Sequence, residues 1–190
     1  PDRVARAWTG NGTGAVISGL YDDVLIYGSE GFYPSAAAYG LADLCPGRVR
    51  YCGAVTTVRP MPRQPWAGVP RRVLVSGGGG RDAYALLDMV LAGFDTLPPH
   101  RRPELTVIAG PLMDGELSTA LKDRAGKVGA IFRDQVPDLP GLLAASDLFI
   151  TMGGYNSVTE ALAVGCPALV VPRVGPSGEP RIRAERLQAL

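Results

Sequence analysis

The sequence predicts a doubly wound, parallel-sheet α/β domain of Rossmann-like type over residues 69–190, preceded in residues 1–68 by the tail of a second such domain. Three observations predict it. Short segments that are apolar throughout, such as Val73-Leu74-Val75, alternate with segments of helical periodicity, the pattern of a parallel sheet covered on both faces. The first of these strands runs directly into Gly77-Gly78-Gly79-Gly80, so a glycine-rich turn stands where strand passes to helix. Ahead of the alternation, residues 56–69 hold Pro60, Pro62 and Pro65 with no apolar period, which reads as a linker.

The elements follow in order. Residues 20–28 read as a turn into a short strand, Val24-Leu25-Ile26-Tyr27; residues 33–41 as a short helix; residues 48–53 as another strand. After the linker, residues 72–76 form an apolar strand. Ala83, Leu86, Leu87, Val90, Leu91 and Phe94 then recur at helical spacing, with Asp82 placed to cap the helix. Residues 105–109 are a second strand, 115–124 a polar helix, 128–132 a third strand and 139–145 a short helix. Residues 148–151 are a fourth strand and 158–164 a helix ended by Gly165 and Pro167. Residues 168–171 are a fifth strand, and 179–190 close as a helix.

Composition narrows the function classes. A formal charge of +1 over 190 residues gives no electrostatic footprint for nucleic acid. Cys45, Cys52 and Cys166 have no zinc-ligand spacing and cannot all pair, so a reduced, cytoplasmic setting is expected. His100 lies in the run Pro98-Pro99-His100-Arg101-Arg102-Pro103 and reads as a bystander. No apolar run reaches the roughly 18–20 residues that span a bilayer.

Ligands of open parallel sheets bind beyond the carboxyl ends of the strands. Three loops stand there. In the first, glycines let the backbone approach a ligand, and the next helix aims free N–H groups at the same point, which suits a phosphate; a flexible turn is the alternative. Residues 78–83 also satisfy a Gly-x-Gly-x-x-Ala dinucleotide fingerprint. However, the second strand ends in Ala109-Gly110-Pro111 with no acid for an adenosine ribose, which lowers that reading. In the second loop, Met152-Gly153-Gly154-Tyr155-Asn156-Ser157 leads into a helix carrying Glu160. Glu160 is placed either to accept two ribose hydroxyls or to close the capping box Ser157-Val158-Thr159-Glu160, and spacing alone leaves both open. The third loop, Arg133-Asp134-Gln135-Val136-Pro137, offers a wall for a base but is uninformative alone.

The run from Asp147 through Met152-Gly153-Gly154-Tyr155-Asn156-Ser157-Val158-Thr159-Glu160 to Gly165-Cys166-Pro167 and Val171-Pro172-Arg173 resembles the C-terminal domain of bacterial GT-B glycosyltransferases. It is most similar to the group that includes the cell-wall lipid N-acetylglucosaminyltransferase and related predicted glycosyltransferases. Gly77–Gly80 and Arg183-Ala184-Glu185-Arg186-Leu187 fit the same group, and the resemblance spans about 72–190. Residues 21–55 are similar to the end of that family's N-terminal, acceptor-binding domain.

The resemblance implies transfer of a sugar from a nucleotide diphosphate donor, a UDP-sugar, with no cofactor and no metal. It puts Gly78 and Gly79 at the diphosphate, Val136 at the uracil, and Gly154, Tyr155, Asn156 and Ser157 around the phosphates and sugar. Glu160 matches the ribose-binding glutamate. Where the family carries an acid or amide followed by Gln to read the sugar, this chain has Glu179-Pro180, so Glu179 is retained as a sugar contact while the sugar's identity is left open. The acceptor is unknown. The base that activates it is expected upstream of Pro1, along with any association with a membrane surface, so this chain alone is expected to bind nucleotide without turnover. A non-catalytic or partner-dependent nucleotide-sugar-binding subunit and a sugar-nucleotide epimerase are the alternatives.

Overall fold

In the computed structural model, residues 6, 8, 10–60, 68–173 and 178–189 are described. The chain divides into two compact units, Pro1–Val55 and Thr56–Leu190. The division falls ahead of the 68/69 boundary expected from the prolines. Val58 packs against the second unit's buried residues, which ties the start of the linker to that unit.

The first unit contains helix α1 (Thr13–Leu20), strand β1 (Val24–Ile26), helices α2 (Ser35–Ala38) and α3 (Leu41–Leu44), and strand β2 (Val49–Tyr51). β1 and β2 pair in parallel, with Val24 opposite Val49. The single helix expected at 33–41 is two short helices, because Gly40 takes a left-handed conformation at φ 69° and breaks the run. Arg48 ties the α1 end to the sheet, donating to the carbonyls of Ser18 at 2.8 Å and Tyr21 at 2.7 Å.

The second unit holds β3 (Arg72–Ser76), α4 (Tyr84–Asp95), β4 (Glu104–Ile108), α5 (Gly115–Val128), β5 (Ile131–Arg133), α6 (Leu139–Ala145), β6 (Leu148–Thr151), α7 (Tyr155–Ala163), β7 (Ala168–Val170) and α8 (Glu179–Gln188). Its strands form one parallel sheet of order β5-β4-β3-β6-β7. Strand side chains alternate between the faces. Val73 and Val75 of β3 therefore join Leu87 and Leu91 of α4 and Leu121 and Ala125 of α5 in one core. Leu74 points the other way, to Leu143 of α6 and to Ala161 and Val164 beside Phe149. Each fully buried Leu or Phe contributes roughly 1.5–3 kcal/mol. This is the expected doubly wound domain.

Three local expectations are corrected. Asp82 does not cap α4: Ala83 occupies the cap position with no side-chain bond, and the Asp82 carboxylate pairs with Arg173 instead. Val128 ends α5 rather than opening β5, because Gly129 at φ 79° terminates the helix beyond it. α7 begins at Tyr155, not Val158, with Gly154 as its N-cap. Ser157 is therefore already inside the helix and cannot serve as the capping-box residue.

Candidate functional site

β3 connects to β4 on one side, while β6 lies on its other side, so the direction of winding reverses between β3 and β6. A crevice opens beyond the carboxyl ends of the strands at such a point. Here it is a cavity of about 910 Å³, lined by the turns that follow β3, β4, β5, β6 and β7, with Thr57 from the linker.

The β3 turn is shaped by what cannot fit in it. A Cβ at Gly77 would lie 2.1 Å from that of Ala83, and Gly78 and Gly80 take φ of 76° and 95°. Glycine is required at all three positions. Ser76, almost fully buried at the end of β3, accepts the Gly78 N–H at 3.1 Å. Leu112 donates to the Gly79 carbonyl at 2.8 Å, which binds the turn to the loop after β4. The β6 turn meets it, since a Cβ at Gly78 would stand 3.8 Å from Ser157 Oγ. Gly78, Gly79 and Gly154 thus line one cavity rather than opposite sides of the unit.

Helix ends add polarity. α5 and α6 are capped by the carboxylates of Asp114 and Asp138. α4 and α7, the helices that leave the two glycine turns, have no side-chain cap. The turn ahead of α4 and the first turn of α7 both line the cavity, where the positive dipole end of α7 favours a bound anion. Glu160 stands on the second turn of α7, half-buried in the cavity wall. Burial raises its carboxyl above the ordinary value of 4.5. Its distance from the Gly154 cap removes the helix-cap role and leaves an acceptor facing the cavity.

Tyr155, Asn156 and Ser157 line the same space from the first turn of α7, and Val136 lines it from the β5 loop, half-buried. Glu179 is not brought in: it is exposed on the first turn of α8, while the adjacent Pro180 is buried and forms part of the wall. Several contributors escape sequence reasoning because they lie far apart in the chain. Arg173 pairs with Asp82 at 2.8 Å, and both line the cavity. Arg183 of α8 donates to the Gly153 carbonyl and stands 5.7 Å from the centre of the Tyr155 ring. Gly153 itself, at φ 78°, has no room for a side chain, since a Cβ would meet Val170 Cγ1 at 2.8 Å. Among the described residues no cluster of His, Cys, Asp or Glu is grouped to hold a metal ion, and no helix is long and apolar enough to cross a membrane.

Known proteins resemble this chain in sequence and in fold. The family model for the glycosyltransferase family 28 C-terminal domain matches residues 72–179. The UDP-N-acetylglucosamine–N-acetylmuramyl-(pentapeptide) pyrophosphoryl-undecaprenol N-acetylglucosamine transferase of Methylorubrum populi is 32% identical over 111 residues, covering 57% of this chain and 29% of that protein. Among solved structures, the kitacinnamycin glycotransferase matches 99% of this chain and 46% of its own at TM-score 0.57 and 21% identity. MurG of Acinetobacter baumannii matches 98% and 61% at TM-score 0.54 and 18% identity. These two share the GT-B fold with this chain, which spans less than a third of the length of its Methylorubrum relative. With its glycine turns and Glu160 in the matched segment, the chain belongs to glycosyltransferase family 28, through that family's C-terminal domain.

Proposed function

We propose that the second unit is the donor half of a glycosyltransferase and holds a UDP-sugar in the cavity between β3 and β6. The observation that carries this reading is the convergence of the glycine turn after β3, the start of α7 and a half-buried acid, Glu160, on one crevice. In the proposed complex the diphosphate lies between the Gly78–Gly79 turn and the Gly154–Ser157 turn. Glu160 accepts the ribose hydroxyls, and Val136 meets the uracil.

Cleavage of a sugar–diphosphate bond places negative charge on the leaving phosphate. Fixed N–H donors and helix dipoles in a crevice stabilise such charge without having to reorganise as it develops. The acceptor in the name of the Methylorubrum populi relative is a pyrophosphoryl-undecaprenol, and that acceptor belongs to that protein. For this chain we propose a hydroxylated acceptor of unspecified class.

Calorimetry on the full chain tests the donor site. UDP is expected to bind, more tightly than ADP. Glu160→Ala is expected to weaken UDP by roughly 1.5–3 kcal/mol, the worth of a hydrogen bond to a charged group. Absence of UDP binding, or an affinity unchanged in Glu160→Ala, would overturn the assignment.

A further inference from the structure

The cavity mouth carries an ion pair that the donor reading leaves unused. Asp82 lies in the turn after β3 and Arg173 follows β7, on opposite flanks of β6. Strands β3 and β7 are two positions apart in the sheet, roughly 9.6 Å at the usual interstrand spacing. Arg173 bridges this gap, its Nη1 reaching Asp82 Oδ2 at 2.8 Å. The pair therefore spans the mouth beyond the end of β6, where the Gly154 turn and the start of α7 lie. Both side chains line the cavity and are partly open to solvent, 38% for Arg173 and 46% for Asp82.

An ion pair this exposed is weak and resists opening little. A diphosphate is a stronger partner for a guanidinium than one carboxylate, because it brings more charge and several acceptor oxygens. The same anion would be repelled by Asp82. Binding therefore favours exchange of the Arg173 partner from carboxylate to phosphate.

We propose that Arg173 reads the donor's diphosphate and that Asp82 holds it in reserve while the site is empty. This rests on the donor assignment above, and it adds a specificity-determining residue and a means of rejecting ligands without phosphate. A nucleoside cannot take Arg173 from Asp82 and must bind without its help. A diphosphate can.

The test is calorimetry on the full chain with UDP, UMP and uridine. In Arg173→Gln, UDP affinity is expected to fall on the order of tenfold, the loss of one charge-assisted contact, while uridine is unchanged. Arg173→Lys is expected to fall between the two, keeping charge but losing the guanidinium fork. Asp82→Asn is expected to tighten UDP by about threefold or more, since Arg173 no longer has to leave a charged partner. Far-ultraviolet circular dichroism and the thermal midpoint of each variant separate misfolding from lost contact. Equal losses for UDP and uridine in Arg173→Gln, or weaker UDP binding in folded Asp82→Asn, would overturn the exchange and leave the donor site standing. Failure of the unmodified chain to bind all three ligands would overturn both.

Discussion

Gly80 and Gly110 meet backbone to backbone at the floor of the cavity, each at φ 95°, and a Cβ on Gly110 would lie 2.7 Å from the Gly80 nitrogen. Gly80 is equally confined, 2.5 Å from its Cβ position to the Ala109 carbonyl. The close approach of the turns after β3 and β4 depends on both residues lacking a side chain. Replacing Gly110 by Ala adds a left-handed strain of about 1–2 kcal/mol to this collision. Gly110→Ala is expected to lose at least about 2 kcal/mol in urea unfolding and to weaken UDP binding. Gly126, exposed in α5 with open space around its Cβ position, is the opposite case. Gly126→Ala is expected to stabilise by about 0.5–1 kcal/mol.

Asp114 provides a control away from the cavity. Its carboxylate accepts the N–H groups of Glu116 at 2.9 Å and Leu117 at 3.2 Å and so caps α5. Asp114→Ala is expected to cost about 0.5–2 kcal/mol in urea unfolding. UDP affinity, measured on the folded variant, is expected to stay at the unmodified value. A parallel loss of affinity would mean that the cavity depends on α5.

The sheet and the glycine turns were legible in the sequence because each leaves a local signature. Buried parallel strands must be apolar on both faces, and turns packed as closely as Gly77 against Ala83 exclude every residue but glycine. Relationships across the fold leave no such trace. Arg173 and Asp82 are 91 positions apart, and nothing in either local sequence announces the pair. The start of α7 is hidden from the local sequence for a related reason. Ser157-Val158-Thr159-Glu160 satisfies the capping-box pattern, but tertiary packing of Gly153 against Val170 and Pro180 fixes the turn earlier and makes Gly154 the cap. Helix α1 has no local signature, because Gly14 and Gly19 dilute its propensity and its end is held by Arg48, 30 positions from Ser18 and 27 from Tyr21.

Arg183 fastens α8 to the β6 turn through the Gly153 carbonyl and the face of Tyr155. A cation–ring contact at a partly exposed site contributes about 0.5–1 kcal/mol, and a charged hydrogen bond adds about 1.5–3 kcal/mol. Removing both frees the turn that leads into the cavity-lining start of α7. Arg183→Ala is expected to weaken UDP by about threefold to thirtyfold through the cost of ordering that turn, with Arg183→Lys in between. Hydrogen exchange at Gly154 and Tyr155 distinguishes this from a lost ligand contact. Faster exchange in the ligand-free variant is the expected result, and unchanged exchange would place Arg183 in contact with the ligand instead.

Glu160 joins stability to binding through pH. Burial raises its carboxyl above 4.5 in the folded chain, so the folded state holds the proton more tightly than the unfolded state. The stability this carboxyl contributes is therefore full below 4.5 and is lost as pH rises through the folded value. Glu160→Gln removes the titration, so urea midpoints of the two proteins should diverge across that window, with the variant gaining on the unmodified chain as pH rises. UDP binding should run the other way. Ribose hydroxyls donate best to the ionised carboxylate, so UDP affinity of the unmodified chain should increase over the same window and that of Glu160→Gln should stay flat. In the proposed complex both slopes arise from one group, since a bound ribose supplies the hydrogen bonds that burial denies the carboxylate without ligand. Parallel midpoints would show that the carboxyl is not desolvated, and a flat affinity in the unmodified chain would separate Glu160 from the ribose.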